Sequence, residues 1–167
     1  MNSIRILLAD DDLIFVKLTA SLLENHGYSV LTATNVNACT RALKNEHFDI
    51  MMLDMCYPAL QDGFGMLEDV HENYPDLPVL MISGSGHIPD AVSAIKNGAT
   101  DFIEKPLDSN HLLIRLERLS DSIKMVKEVH DLQIAAIGMK GTSPAMVTMF
   151  SEIVKAAKFD CPVLITG

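Results

Sequence analysis

The sequence predicts a doubly wound α/β fold, five parallel strands in the order 2-1-3-4-5 with helices on both faces of the sheet. Three observations predict it. Short apolar runs alternate five times with stretches of helical period. The inner runs, Ile4 to Ala9 and Ile50-Met51-Met52-Leu53, are apolar with little alternation, as strands covered on both faces must be. Several runs also stop at a polar or charged residue, and in open α/β sheets the carboxyl ends of the strands form the working edge.

Each element has its own signals. Ile4 to Ala9 is the first strand, closed by Asp10-Asp11-Asp12. Leu13 to Asn25 carries Ile14, Leu18, Leu22 and Leu23 at helical spacing, and Gly27 follows as a stop. Tyr28 to Ala33 is the second strand. Asn35 or Asn37 caps a helix bearing Val36, Cys39, Ala42 and Leu43. Phe48 to Leu53 is the third strand, ending at Asp54. A loop with Pro58, Asp62 and Gly63 leads to a helix from about Phe64 to Asn73, with Met66, Leu67 and Val70 inward. Pro78 to Ile82 is the fourth strand, followed by Ser83-Gly84-Ser85-Gly86. Pro89 suits the first turn of a helix carrying Ala91, Val92 and Ile95, closed by Gly98. Asp101 to Glu104 is the fifth strand and runs straight into Lys105-Pro106. The last helix begins near Asp108 or Ser109 and continues past Leu119 toward His130.

Composition excludes several functions. Thirteen basic residues against 22 acidic ones give a net charge of -9 over 167 residues, which disfavours a binder of nucleic-acid phosphates. Aromatics are 5% with no Trp, too few for base-stacking platforms. The three cysteines, Cys39, Cys56 and Cys161, form no CxxC and fit free thiols in a reducing cytoplasm. No secretory leader is apparent, and no apolar run reaches the roughly 18 residues of a membrane span. The six histidines lack metal-ligand spacing, and only His87 falls near a strand end that matters.

In the proposed order, strands one, three, four and five are neighbours, so Asp10, Asp11, Asp54, Ser83 and Lys105 meet on one rim. Three clustered carboxylates repel one another, and a hard divalent cation removes the conflict. Few ligands, all oxygen, suit Mg²⁺. A carboxylate beside Mg²⁺, facing an ammonium and a hydroxyl, is the equipment of phosphoryl transfer. Taken singly, each residue also has a plainer role: a turn for Ser83, a surface lysine for Lys105, core for Phe102. Asp12 lies outside the pair and is solvated or caps the first helix.

Asp10-Asp11, Asp54, Ser83 and Lys105-Pro106 together resemble the receiver domain of two-component response regulators, over about residues 4 to 122. The resemblance implies a flavodoxin-like (CheY-like) fold. It implies that Asp54 accepts a phosphoryl group from a sensor histidine kinase. It also implies Mg²⁺ bound by Asp11 directly, by Asp10 mainly through water, by Asp54, and by the backbone carbonyl of Cys56. Ser83 and Lys105 would contact the phosphoryl group, and Phe102 stands at the aromatic switch position. Two features depart from the pattern. Tyr57-Pro58 replaces the usual methionine-proline turn, and Ala59-Leu60-Gln61 makes the loop one residue longer. Phe102 also lacks the hydroxyl of the commoner tyrosine, leaving packing alone to drive a switch.

The segment Ile137-Gly138, Gly141-Thr142-Ser143-Pro144-Ala145-Met146, an amphipathic stretch, and Cys161-Pro162-Val163-Leu164-Ile165-Thr166-Gly167 resembles the opening of the AAA+ domain of sigma-54-dependent activators, the nitrogen regulatory protein C class. The lysine and Ser/Thr that a phosphate-binding loop requires are absent from it. The expected organisation is a receiver at 1–122, a helical linker at 123–136 and an incomplete ATPase fragment at 137–167. The chain is expected to be no enzyme beyond gaining and losing its own phosphoryl group. ATP, sigma-54 RNA polymerase and DNA would be partners of a longer protein, and a membrane would not be a partner.

The reading is a phosphorylated receiver; the alternative is a pseudo-receiver, an interaction module of the same fold that takes no phosphoryl group. A metal-dependent phosphatase with an aspartyl nucleophile is a weaker rival, because the second acid of its DxD arrangement would fall at Cys56. Finally, Leu112, Leu116, Leu119, Ile123 and Val126 recur at spacings of four and three. Leu112 and Leu116 are expected to pack on the sheet. Leu119, Ile123 and Val126 are expected to join a homodimer, with Ile123 and Val126 projecting beyond the sheet.

Overall fold

Parallel pairing fixes the architecture. β1 (Arg5–Ala9) pairs with β2 (Ser29–Ala33) on one side and with β3 (Ile50–Asp54) on the other. β4 (Val79–Ser83) pairs with β3, and β5 (Asp101–Glu104) with β4. The sheet order is therefore β2-β1-β3-β4-β5, as the sequence predicts. The structure, a computed structural model, describes residues 3–57, 62–84 and 88–136. The chain divides into two units, Met1–Ile123 and Lys124–Gly167, and the sheet lies in the first. The loop at 58–61, His87 and the predicted ATPase fragment at 137–167 lie outside the described residues.

Alternation along the strands sorts side chains into two cores. Leu7, Met51, Leu53 and Met81 face one side, where α2 (Val36–Asn45), α3 (Asp62–Asn73) and α4 (Ile88–Lys96) cover them with Cys39, Leu67, Val70 and Ala94. Ile6, Leu8, Met52, Leu80 and Ile82 face the other, beneath Val16 and Leu23 of α1 (Leu13–Asn25) and Leu112 and Leu116 of α5 (Ser109–Ala136). Two of the three inner strands, β3 and β4, are buried at every residue, which is why their sequences show no polar alternation. Each fully buried Leu, Ile or Met stabilises the fold by about 1.5–3 kcal/mol before conformational entropy is counted.

Three helices turn differently from the expected stripes. In α1 the buried residues are Val16, Thr19 and Leu23, while Ile14 and Leu18 are 72% and 68% exposed. The polar Thr19 stands at the centre of the buried face, so apolar periodicity selected the neighbouring stripe. In α4 the small Ala94 meets the core, and Val92 and Ile95 are about half exposed. In α2 Val36 lies outside the buried group of Cys39, Ala42 and Leu43. The last helix runs to Ala136, beyond the predicted His130. Leu119 and Ile123 are half-buried against the α1–α5 core, so Ile123 does not project into water, whereas Val126 is 69% exposed. Asn35 caps α2, its side chain accepting from the Ala38 amide at 2.9 Å.

The first turn of α3 is pressed against the end of β3. A Cβ on Gly63 would lie 2.5 Å from the Met55 carbonyl oxygen and 2.6 Å from that of Asp54, both of them backbone. Gly65, in the same helix, has open space at that position. Gly63→Ala should therefore lower the unfolding free energy by about 1–3 kcal/mol through overpacking. Gly65→Ala should raise it by about 0.5–1 kcal/mol through helix propensity. Urea unfolding of the two variants checks the opposed signs; a neutral Gly63→Ala would show that α3 does not pack this closely on the end of β3.

Candidate functional site

The site is assembled from strand ends. β1 stops at Ala9, and the Asp10 amide still donates to the Ala33 carbonyl at 3.1 Å, so sheet pairing holds Asp10 at the rim. Its side chain is fully buried. Asp54 is the last residue of β3 and is also buried. The chain beyond it is tied to the next strand, because the Met55 amide donates to the Ile82 carbonyl at 2.7 Å. Lys105 follows β5, and its amide donates to the Ser83 carbonyl at 2.7 Å. Backbone bonds thus extend the sheet by one residue on each side of the site, placing side chains from four sequence regions within reach of one another.

Lys105 is the hub. Its ammonium donates to Asp10 Oδ2 at 2.6 Å and to Asp54 Oδ1 at 2.7 Å. The other Asp54 oxygen, Oδ2, accepts from the Cys56 amide at 2.8 Å. The other Asp10 oxygen, Oδ1, accepts from the Asp12 amide at 2.8 Å. Burial raises the Asp10 carboxyl above its ordinary pKa, and the nearby Asp54 charge adds to the rise. The hydrogen bonds from Lys105 and Asp12 oppose it without cancelling it. For Lys105, burial acts to lower the pKa, but the hydrogen bonds to Asp10 and Asp54 outweigh it and the net shift is upward. The lysine therefore stays charged.

Asp12 is a helix cap. Its Oδ1 accepts from the amides of Ile14 at 2.9 Å and Phe15 at 3.0 Å, and these bonds hold its carboxyl below the ordinary value. Of the two roles open to it in the sequence, capping is the one it plays. Asp11 is exposed, yet its carboxylate stands with those of Asp10 and Asp54: one oxygen from each lies within 4.8 Å of the others. Three hard oxygen donors grouped this closely, two of them on buried residues, fit a divalent cation of the Mg²⁺ type better than a softer metal. Their collective negative charge exceeds what Lys105 alone offsets. Ser83, at the end of β4, is buried beside this group. Phe102 sits opposite Met81 on the neighbouring strand, half-buried against the α2–α3–α4 core. Leu119, Ile123 and Val126 lie along α5 and contribute nothing to the rim.

Two residues that sequence reasoning passed over have a place here. Phe15 presents its ring to the Lys105 ammonium, with 4.2 Å between the nitrogen and the ring centre. The signal was available, as an aromatic residue one turn beyond an acidic triplet, but aliphatic periodicity drew attention to Ile14 instead. Tyr57 read as part of a loop. It is fully buried in the α2–α3–α4 core, and burial pushes its hydroxyl pKa up. Among the described residues that hydroxyl has no hydrogen-bond partner. Cys39 lies in the same core, its thiol pushed up to about 11 by burial.

Known proteins are similar to this chain in sequence and fold. The sequence profile described as "Response regulator receiver domain" matches residues 6–117. The chain is 36% identical over 129 residues to the nitrogen assimilation regulatory protein NtrX of Azorhizobium caulinodans, covering 77% of this chain and 28% of that protein. It is 32% identical over 167 residues to the transcriptional regulatory protein ZraR of Escherichia coli K12, covering 99% of this chain and 38% of that one. The chain thus spans between 28% and 38% of the length of these relatives. Among solved structures, NtrX from Brucella abortus superposes with a TM-score of 0.73 at 35% identity, over 93% of this chain and 35% of that one. The receiver domain of the same NtrX gives 0.64 at 36% identity, over 68% of this chain and 96% of that one. By its sheet order, its acidic rim and these likenesses, the chain belongs to the response regulator receiver domain family.

Proposed function

We propose that this chain is a phosphorylation-dependent receiver that takes a phosphoryl group from a sensor histidine kinase onto Asp54. One observation carries the reading: Asp54 is a buried carboxylate held by Lys105 and the Cys56 amide, beside two further carboxylates. An Asp54 oxygen attacks phosphorus, the P–N bond to the donor histidine breaks, and the imidazole leaves with the bonding pair. Lys105 shifts its hydrogen bond from the carboxylate to a phosphoryl oxygen. Asp10, Asp11, Asp54 and the Cys56 backbone carbonyl would hold Mg²⁺, which when bound neutralises charge on the phosphoryl oxygens. The pseudo-receiver alternative lacks any comparable reason for burying two carboxylates on one ammonium.

Output would run through Ser83 and Phe102. The new phosphoryl group carries strong acceptor oxygens. Ser83 turns toward them, and Phe102, already half-buried on the adjoining strand, fills the space left behind. We place the chain in the cytoplasm as part of a longer transcription regulator. Its receiver ends near residue 122, its linker spans 123–136, and a partial ATPase segment occupies 137–167. In that longer protein a sigma-54-dependent ATPase would act on ATP, polymerase and DNA, none of them through this fragment. No helix among the described residues is long and apolar enough to cross a membrane.

Intact mass after incubation with acetyl phosphate and Mg²⁺ tests the reading. One added phosphoryl group is expected on the wild type and none on Asp54→Asn, with Asp11→Asn needing more Mg²⁺. Full labelling of Asp54→Asn would overturn the assignment. In the same samples Ser83→Ala should accept the label yet leave the Phe102 amide resonance unmoved; a shift equal to that of the wild type would remove Ser83 from the switch.

Self-association would use α5, where Leu119 and Ile123 are half-buried and Val126 stands exposed at the end of the stripe. Light scattering across a dilution series should show a dimer that Val126→Glu weakens about tenfold or more. A monomer throughout, or an indifferent variant, would exclude this interface.

A further inference from the structure

Asp10 is linked back to itself through a closed ring of contacts. Its Oδ1 accepts from the Asp12 amide at 2.8 Å, and Asp12 Oδ1 accepts from the Phe15 amide at 3.0 Å. The Phe15 ring lies 4.2 Å from the Lys105 ammonium, which donates at 2.6 Å to Asp10 Oδ2. Two of the three ammonium N–H groups are directed to carboxylates, and the ring stands over the nitrogen as well. A ring face carries negative potential, so it attracts the ammonium without competing for a proton. The ring is itself held: its backbone belongs to the capped first turn of α1, and the side chain packs against the core formed with α5. The lysine is a four-carbon stem with a free-turning head, and it needs such a wall to keep one position.

We propose that Phe15 is a positioning residue for phosphoryl transfer, its ring holding the Lys105 ammonium against Asp54 and limiting water's access to it. The phenyl group carries no metal-binding or proton-transferring atom, so it acts through the lysine. An aliphatic side chain of similar volume would fill the same space but would lose the electrostatic attraction. The ring's contribution should be larger than at a fully exposed pair, because Lys105 is only 24% exposed. The kinetic part of this inference rests on the receiver reading; the contact itself does not.

The test uses Phe15→Leu, Phe15→Tyr and a series carrying one to three ring fluorines at position 15, which drain the ring's negative face while keeping its shape. Acetyl phosphate labelling is followed at saturating Mg²⁺. Phe15→Leu should slow labelling about threefold to tenfold, Phe15→Tyr should restore most of the rate, and the rate should fall stepwise with each fluorine. In parallel, the ring current should displace the Lys105 side-chain proton resonances in the wild type, and Phe15→Leu should abolish the displacement. Equal rates for wild type, Phe15→Leu and the fluorinated series would overturn the proposal, since packing alone would then suffice. If the wild type takes no label at all, the receiver reading fails. The ring-current displacement then decides the Phe15–Lys105 contact: its presence upholds the contact and its absence overturns it.

Discussion

The rim depends on a single ammonium standing between two buried carboxylates. Asp10 and Asp54 come from adjacent strands and stand close together, and burial together with the Asp54 charge resists the ionisation of Asp10. Lys105 bonds to both. Two unit charges about 4 Å apart interact by about 4 kcal/mol at an effective dielectric of about 20. Taking these charges out of water offsets much of that attraction, so the net contribution of the cluster is smaller. Three carboxylates against one ammonium leave two negative charges over, which is the charge of one divalent cation. That excess is the physical reason the cluster of oxygens fits a divalent cation.

The sheet supplies the precision. Strand pairing runs one residue past β1, β3 and β5 through backbone bonds to Ala33, Ile82 and Ser83, so the functional side chains begin where regular hydrogen bonding ends. Gly63 lets the first turn of α3 approach the carbonyls of Asp54 and Met55. Asp12 fixes the first turn of α1, and with it Phe15. A charged group on a flexible stem is thereby surrounded by parts that move little, which is what pre-organised electrostatics needs.

Much of this was legible in the sequence because the signals were local or ordered along the chain. Ile50-Met51-Met52-Leu53 read as a strand covered on both faces, and that reading put Asp54 at its end. Lys105 next to Pro106 was recognisable only through its order relative to the other strand ends. Helix orientation was less legible. Thr19 is buried and Ile14 exposed in α1, because the neighbours that decide burial come from β2 and α5, which periodicity within one helix does not see. Phe15 and Tyr57 were missed for the same reason. Each takes its importance from a residue distant in sequence: Lys105 for the first, and Cys39 with the rest of the core for the second.

If the rim is a site of uncompensated negative charge held by one lysine, removing that lysine and adding a cation must be coupled. The direct measurement is urea unfolding of wild type and Lys105→Met, each with and without saturating Mg²⁺. Without Mg²⁺ the variant should lose about 1–3 kcal/mol, the cost of leaving buried carboxylates unpaired, reduced by the partial exposure of the lysine. Mg²⁺ should stabilise the variant more than the wild type, because more negative charge is left for it to neutralise. Equal stabilisation of the two proteins by Mg²⁺, or a variant as stable as the wild type in its absence, would contradict the account.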